Sequence, residues 1–262
     1  MKCILVIAGS DSSGGAGIQA DIKTITSLGA HSLTVLTAVT AQNSFEVAAV
    51  HKIPVRFISR QLETVLKDFS PHAVKIGMLY SGAAVKAVAR LIKKHNLPNV
   101  VLDPVMRASS GRNLLEPDAV PLLKEILLPL VSVVTPNLYE ARVLAGKKVG
   151  DLEEMATAAK VINAMGPDVV VTGGHLTGDC VDLFCDGRRL RWFQAARILT
   201  EHTHGSGCVF STALATFLAE GENSLNAAGL AHNFTKRAIK TGYALGQGPG
   251  PVQAGLGRKP NR

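Results

Sequence analysis

Aromatic residues are scarce in this chain: phenylalanine, tryptophan and tyrosine supply 5% of 262 positions, with a single tryptophan. Proteins that read single-stranded nucleic acid stack bases on aromatic rings set among basic side chains. Here the cations come as scattered doublets, Lys93-Lys94, Lys147-Lys148, Arg188-Arg189 and Lys236-Arg237, with no rings between them. The formal net charge of +8 and isoelectric point near 9.5 therefore read as surface charge with some pull on small anions, and nucleic acid is not an expected partner. Cysteine is also sparse. Cys3, Cys180, Cys185 and Cys208 form no CxxC pair, which excludes the usual disulfide frameworks and thiolate zinc sites and makes the cytoplasm the expected compartment. No apolar run is long enough to span a membrane, so no membrane partner is expected. The run from Met1 to Gly9 is short and ends in a turn, which predicts a first strand and not a signal peptide. A GxxxxGK[ST] string is missing as well, and that closes one common route to ATP.

What the chain does have is apolar content: 47% hydrophobic residues and a mean hydropathy of +0.21, enough for a large buried core. Strand-like runs fall at 3–8, 33–39, 73–76, 99–102, 131–135, 168–172 and 181–184. Helical patterns lie near 16–28, 55–68, 82–95, 117–128, 137–145, 152–165, 208–220 and 224–244. β-Branched runs alternating with helices predict a mainly parallel sheet covered on both faces. No linker or repeat divides the chain, so one domain over 1–262 is expected, with an irregular Gly/Pro-rich tail from about 246 and a loose basic end.

In such a sheet ligands sit beyond the carboxyl ends of the strands, and polar residues follow the strands here: the loop from Gly9 to Gly17, then Gln42, Met78, Asp103, Asn137 and the stretch Thr172-Gly173-Gly174-His175. Gly15-Ala16-Gly17-Ile18-Gln19-Ala20 fits GxGxxA, but the second strand ends in Thr40-Ala41-Gln42 without the acidic residue that a dinucleotide ribose needs. The stronger signal is Thr203-His204-Gly205-Ser206-Gly207-Cys208, which opens onto an apolar helical run. The backbone amides of Gly205, Ser206 and Gly207 at a helix N-terminus predict an anion hole. Cys208 stands where a helix dipole lowers a thiol pKa, which makes it a candidate base. Asp103, Asn137 and Glu140 offer oxygen ligands for a hydrated magnesium ion between phosphates, and Asn137 with Glu140 also reads as a helix-capping pair.

The stretch Ile7-Ala8-Gly9-Ser10-Asp11-Ser12-Ser13-Gly14-Gly15-Ala16-Gly17-Ile18-Gln19-Ala20-Asp21 resembles the N-terminal signature of hydroxymethylpyrimidine/phosphomethylpyrimidine kinases. Thr40-Ala41-Gln42-Asn43, Lys75-Ile76-Gly77-Met78, Asp103-Pro104-Val105-Met106, Pro136-Asn137-Leu138-Tyr139-Glu140 and the 203–208 hexad follow in that family's order, over nearly the whole chain. The resemblance implies a ribokinase-like, three-layer α/β/α sandwich. It also implies transfer of phosphate from ATP, with Mg2+, to 4-amino-5-hydroxymethyl-2-methylpyrimidine and then to its monophosphate, giving the pyrophosphate used for thiamine.

Carried onto this chain, the resemblance implies Cys208 as base and Gly205, Ser206 and Gly207 as the anion hole. Gln42, Gly9, Asp21, Met78 and Val105 would meet the pyrimidine, Asn137 and Thr172 the nucleotide, and Asp103 and Glu140 the metal. Gln42 suits the ring because a carboxamide both donates and accepts; Asp21 also reads as a helix-dipole carboxylate. His175 and His204 are not expected to be ligands, and His204 reads as a structural residue or one that supports the residues touching the ligand. Two departures stand out: Thr172 where the family often has lysine, and Ser206 with Val209 where threonines are usual. A homodimer is expected. The alternatives are a pyridoxal or pyridoxine kinase, and a non-catalytic binding protein on the same fold.

Overall fold

The computed structural model describes residues 1–174, 176 and 178–255; His175 and the basic end at 256–262 lie outside the described residues. Strand β1 (Cys3–Asp11) runs through the middle of the molecule. Its side chains alternate, Leu5 and Ile7 entering one core and Ile4, Val6 and Ala8 the other. A strand buried on both faces needs a continuous apolar run, and this one has it.

The remaining strands are β2 (His31–Gln42), β3 (Val47–Lys52), β4 (Ala73–Ile76), β5 (Val100–Leu102), β6 (Val133–Val134), β7 (Asp168–Val171), β8 (Cys180–Cys185) and β9 (Leu190–Ala195). They form one sheet in the order β3-β2-β1-β4-β5-β6-β7-β8-β9. Strands from β2 across to β7 are parallel, while β3 at one edge and β8 and β9 at the other are antiparallel. Neither β3 nor β9 was expected from the sequence. Both are edge strands with mostly exposed side chains, so hairpin pairing, and not their own hydrophobicity, makes them strands.

Helices α2 (Val55–Leu66), α3 (Gly82–His95), α4 (Ala119–Leu122), α5 (Leu138–Ala145) and α6 (Leu152–Asn163) cover one face, and α1 (Gly17–Ser27), α7 (Ser206–Glu220) and α8 (Ser224–Lys240) the other. This is the three-layer sandwich expected. The single helix predicted near 117–128 is instead α4, a π turn at Leu123–Leu127 and a 3-10 turn at Leu128–Leu130. Pro121 and Pro129 lack amide hydrogens and interrupt the regular ladder.

The chain leaves β1 through α1 on one face and returns to β4 through α2 on the other. Connections therefore diverge between the adjacent strands β1 and β4, which opens a crevice beyond their carboxyl ends. The described part of the tail, residues 246–255, holds no helix or strand and docks. Val252 and Ala254 are buried, and the Gln253 amide donates to the Ala238 carbonyl at 3.0 Å.

Candidate active site

At that crevice lies a cavity of about 520 Å³. Gly9, Gln42, Met78 and Val105 line one part; Asp103, Asn137, Glu140 and Thr172 another; and Gly205, Ser206, Gly207 and Cys208 close it from the start of α7. Twelve of the sequence-derived candidates thus share one space. Asp21 does not.

Gly205 caps α7 with φ +83°, and a Cβ there would stand 2.0 Å from the Gly15 carbonyl oxygen, so only glycine fits on both counts. One of the three expected anion-hole amides is used elsewhere: the Ser206 amide donates to the Thr203 carbonyl at 3.2 Å. The turn consumes that donor, and Gly205 and Gly207 remain as the other two anion-hole candidates lining the cavity.

Cys208 corrects a second expectation. Burial pushes its thiol up to about 12; Lys75 opposes this, Asp103 and Asp21 add to it, and a hydrogen bond from the Gly17 amide only partly offsets it. Desolvation and two carboxylates outweigh the helix dipole, so the thiol keeps its proton in the ligand-free protein.

Asp103 follows β5, is buried, and accepts from Ser211 Oγ at 3.1 Å. Burial raises its pKa despite the nearby Lys75 cation. Glu140 and Asn137 form a reciprocal capping box on α5: the Asn137 amide donates to Glu140 Oε2 at 2.9 Å and the Glu140 amide to Asn137 Oδ1 at 3.0 Å. Glu140 also accepts from the Met106 amide at 3.3 Å. Burial and the neighbouring Asp103 charge push its carboxyl up to about 8. Among the described residues no group of three or more His, Cys, Asp or Glu side chains could hold a metal. Two buried carboxylates, one of which raises the pKa of the other, fit a hydrated hard cation whose other ligands are water and phosphate oxygens.

Asp21, on α1, is fully buried beneath the cavity. Its oxygens accept from Lys75 Nζ at 2.9 and 3.0 Å and from Thr212 Oγ1 at 2.6 Å. It can reach a ligand only through Lys75, which lines the cavity. Burial works to lower the Lys75 pKa, but the charges of Asp21, Cys208 and Asp103 and the Asp21 hydrogen bond together outweigh it and raise it, so this lysine stays cationic. Lys75 was overlooked as a functional residue, although a lysine inside the run Ala73-Val74-Lys75-Ile76 is itself a signal, since a strand buried on both faces tolerates a charge only with a partner.

Gln42 ends β2 with its Oε1 accepting from Thr40 Oγ1 at 3.1 Å, so its amide nitrogen remains to donate. A Cβ on Gly9 would lie 2.9 Å from Met78 Sδ, so Gly9 lets that thioether pack on the backbone. The Thr172 amide donates to the Pro136 carbonyl at 2.9 Å, beside Asn137. Three further cavity residues carried no sequence signal. Asp182 Oδ2 lies 2.7 Å from His232 Nδ1, its Oδ1 accepts from the Gly173 amide at 3.1 Å, and the buried Thr235 hydroxyl has no hydrogen-bond partner among the described residues.

A family profile described as phosphomethylpyrimidine kinase matches residues 11–253. The chain belongs to the phosphomethylpyrimidine kinase family. It is 44% identical over 253 residues to the hydroxymethylpyrimidine/phosphomethylpyrimidine kinase of Streptomyces coelicolor, covering 96% of this chain and 94% of that one. It is 45% identical over 251 residues to the thiamine biosynthesis bifunctional protein ThiED of Geobacter sulfurreducens, covering 95% of this chain but only 51% of that longer protein. Among solved structures, an ADP complex of Bacillus subtilis pyridoxal kinase superimposes with a TM-score of 0.92 at 39% identity, covering 98% of each chain. Membership makes this chain a phosphotransferase of ribokinase-like fold. Among the described residues, no helix is long and apolar enough to cross a membrane.

Proposed function

We propose that this family member phosphorylates 4-amino-5-hydroxymethyl-2-methylpyrimidine with ATP and then phosphorylates the monophosphate to the pyrophosphate, in the cytoplasm, for thiamine synthesis. The observation that carries this reading is one cavity holding Gln42, Met78 and Val105 at one part and the 205–208 turn at another. Gln42 would pair with the aminopyrimidine edge, while Met78, Val105 and the Gly9 backbone hold its faces. Asn137 and Thr172 would border the nucleotide.

As the substrate hydroxyl oxygen bonds to the γ-phosphorus, the bond to the β-phosphate bridging oxygen breaks and ADP departs. The amides of Gly205 and Gly207 would face the charge on the transferring oxygens. The hydroxyl proton would pass to Cys208 Sγ. Because the free thiol is protonated, this role needs positive potential added in the bound state, to which Lys75 already contributes. Asp103 and Glu140 would hold Mg2+, which supplies positive charge at the phosphate oxygens.

Incubation with the hydroxymethylpyrimidine, ATP and magnesium, followed by separation of products, is expected to show both the mono- and the pyrophosphate. The likeness to pyridoxal kinase favours a second reading, phosphorylation of pyridoxal; a higher kcat/KM on that ring would establish it. No turnover of either ring would leave a binding protein on a kinase fold. We also propose a homodimer, supported by the open sheet edge at β3 and by Phe45, 56% exposed beside it.

A further inference from the structure

Two segments nearly two hundred residues apart meet where the 205–208 turn closes the cavity. Asp11, 4% exposed at the end of β1, accepts four hydrogen bonds. Its Oδ1 takes the Ser13 amide at 2.8 Å and the Ser13 hydroxyl at 2.7 Å. Its Oδ2 takes the Ala16 amide at 2.8 Å and lies 3.0 Å from His204 Nε2. Burial works to raise the Asp11 pKa, but His204, Ser13 and Ala16 outweigh it and hold the carboxyl at about 2. Asp11 is therefore an acceptor only, and the hydrogen of this bond sits on His204 Nε2.

The rest of His204 is fixed too. Its amide donates to the Gly250 carbonyl at 3.2 Å, and its carbonyl accepts from the Val252 amide at 3.1 Å. Its ring lies against Gly15, where a Cβ would stand 2.3 Å from Cδ2 and 3.0 Å from Nε2. Gly15 is not among the positive-φ glycines, so the approach of the ring, and not the backbone, requires glycine there. One residue beyond His204, Gly205 touches the Gly15 carbonyl in the same way. Each loop thus carries a glycine that makes room for the other.

We propose that His204 is a positioning residue for phosphoryl transfer. Its Nε2–H, held by Asp11, fixes the amides of Gly205 and Gly207 relative to the end of β1, which carries Gly9. His204 itself touches no reacting atom; it acts through the turn. The proposal rests on the kinase reading above, but the placement of the turn can be measured without turnover.

The test compares His204→Ala with His204→Gln, whose side-chain amide keeps an N–H near the position of Nε2. In His204→Ala, backbone hydrogen exchange of a peptide spanning 203–208 is expected to accelerate. Its kcat should fall roughly 10- to 100-fold, the scale set by a misplacement of about 1 Å, while KM for ATP and for the ring changes less than about threefold. His204→Gln should restore most of both. Gly15→Ala, which adds a methyl group under the ring, should repeat the kcat loss by a separate route and covers the case in which His204→Ala fails to fold.

Wild-type exchange and kcat in His204→Ala would overturn the proposal. So would a glutamine variant as impaired as the alanine one, a loss confined to KM, or a unfolding midpoint that falls in step with kcat in every variant. If the wild type phosphorylates neither pyrimidine nor pyridoxal, the kinase reading fails, and unchanged exchange in His204→Ala would then sink the clamp on its own.

Discussion

At Cys208 two local influences oppose each other. Position at the start of α7 favours the thiolate, but the side chain is desolvated and faces Asp103 and Asp21, and the thiol is pushed up to about 12. Alkylation of ligand-free protein near neutral pH should therefore leave Cys208 slower to react than an ordinary thiol, as peptide mapping would show; rapid, selective labelling would contradict it. Cys208→Ala should keep affinity for both ligands and lose roughly two to four orders of magnitude in kcat, the usual cost of removing a general base. An unchanged kcat would reassign the thiol to packing.

Strand β4 carries one charge, and helix α1 supplies its partner. Lys75 and Asp21 are both fully buried and bound to each other at 2.9 Å. Removing one member of such a pair strands the other charge, which typically costs about 3–5 kcal/mol. Lys75→Met should lose stability on that scale in chemical denaturation, and adding Asp21→Asn should recover part of it. A single variant as stable as the wild type would show that the pair is not needed for folding. Just after β7, Thr172 borders the cavity at the position where the sequence resemblance leads one to expect lysine. If this position meets nucleotide phosphate, Thr172→Lys should tighten ATP binding and make it more salt-sensitive, leaving the pyrimidine unaffected. A drop in melting temperature with no gain in ATP affinity would instead make Thr172 a strand-end residue only.

For the whole molecule, the buried carboxylates make stability depend on pH. Glu140 has a folded pKa of about 8 against an ordinary value of 4.5. The folded state therefore holds this proton over a range in which the unfolded chain has released it. The stabilisation is complete below pH 4.5 and is lost as pH rises through about 8. In magnesium-free buffer stability should fall across that window, with a slope of up to about 1.4 kcal/mol per pH unit from this group. Glu140→Gln can keep one oxygen for the Asn137 amide, gives up the Met106 contact, and should flatten the slope; an unaltered slope would place its origin elsewhere. Sedimentation equilibrium at micromolar concentration should give twice the 27.6 kDa chain mass, and a monomer would remove the dimer proposal.

The sequence by itself determined the layers of this protein. Apolar runs such as residues 3–8 can only be strands buried on both faces, and the helical stripes between them can only pack above and below. The strand-end rule gathers Gly9, Gln42, Met78, Asp103 and Asn137 at one edge, and the helix-start turn at 203–208 adds Gly205 as a separate signal. What tertiary structure decided was electrostatic and steric, because both depend on distances between segments far apart in the chain. The helix start at Cys208 predicts a lowered thiol pKa, and burial beside Asp103 reverses it. Asp21 belongs to a matching signature, yet it lies under the cavity because Lys75, from a distant strand, needs a counter-charge there. The Ser206 amide was spent on its own turn. His204 reads from sequence as a structural or supporting residue without a partner, and folding supplies the partners, Asp11 and Gly15. Edge strands β3 and β9, whose side chains are largely exposed, exist only because a neighbouring strand offers hydrogen bonds, and no local pattern records that.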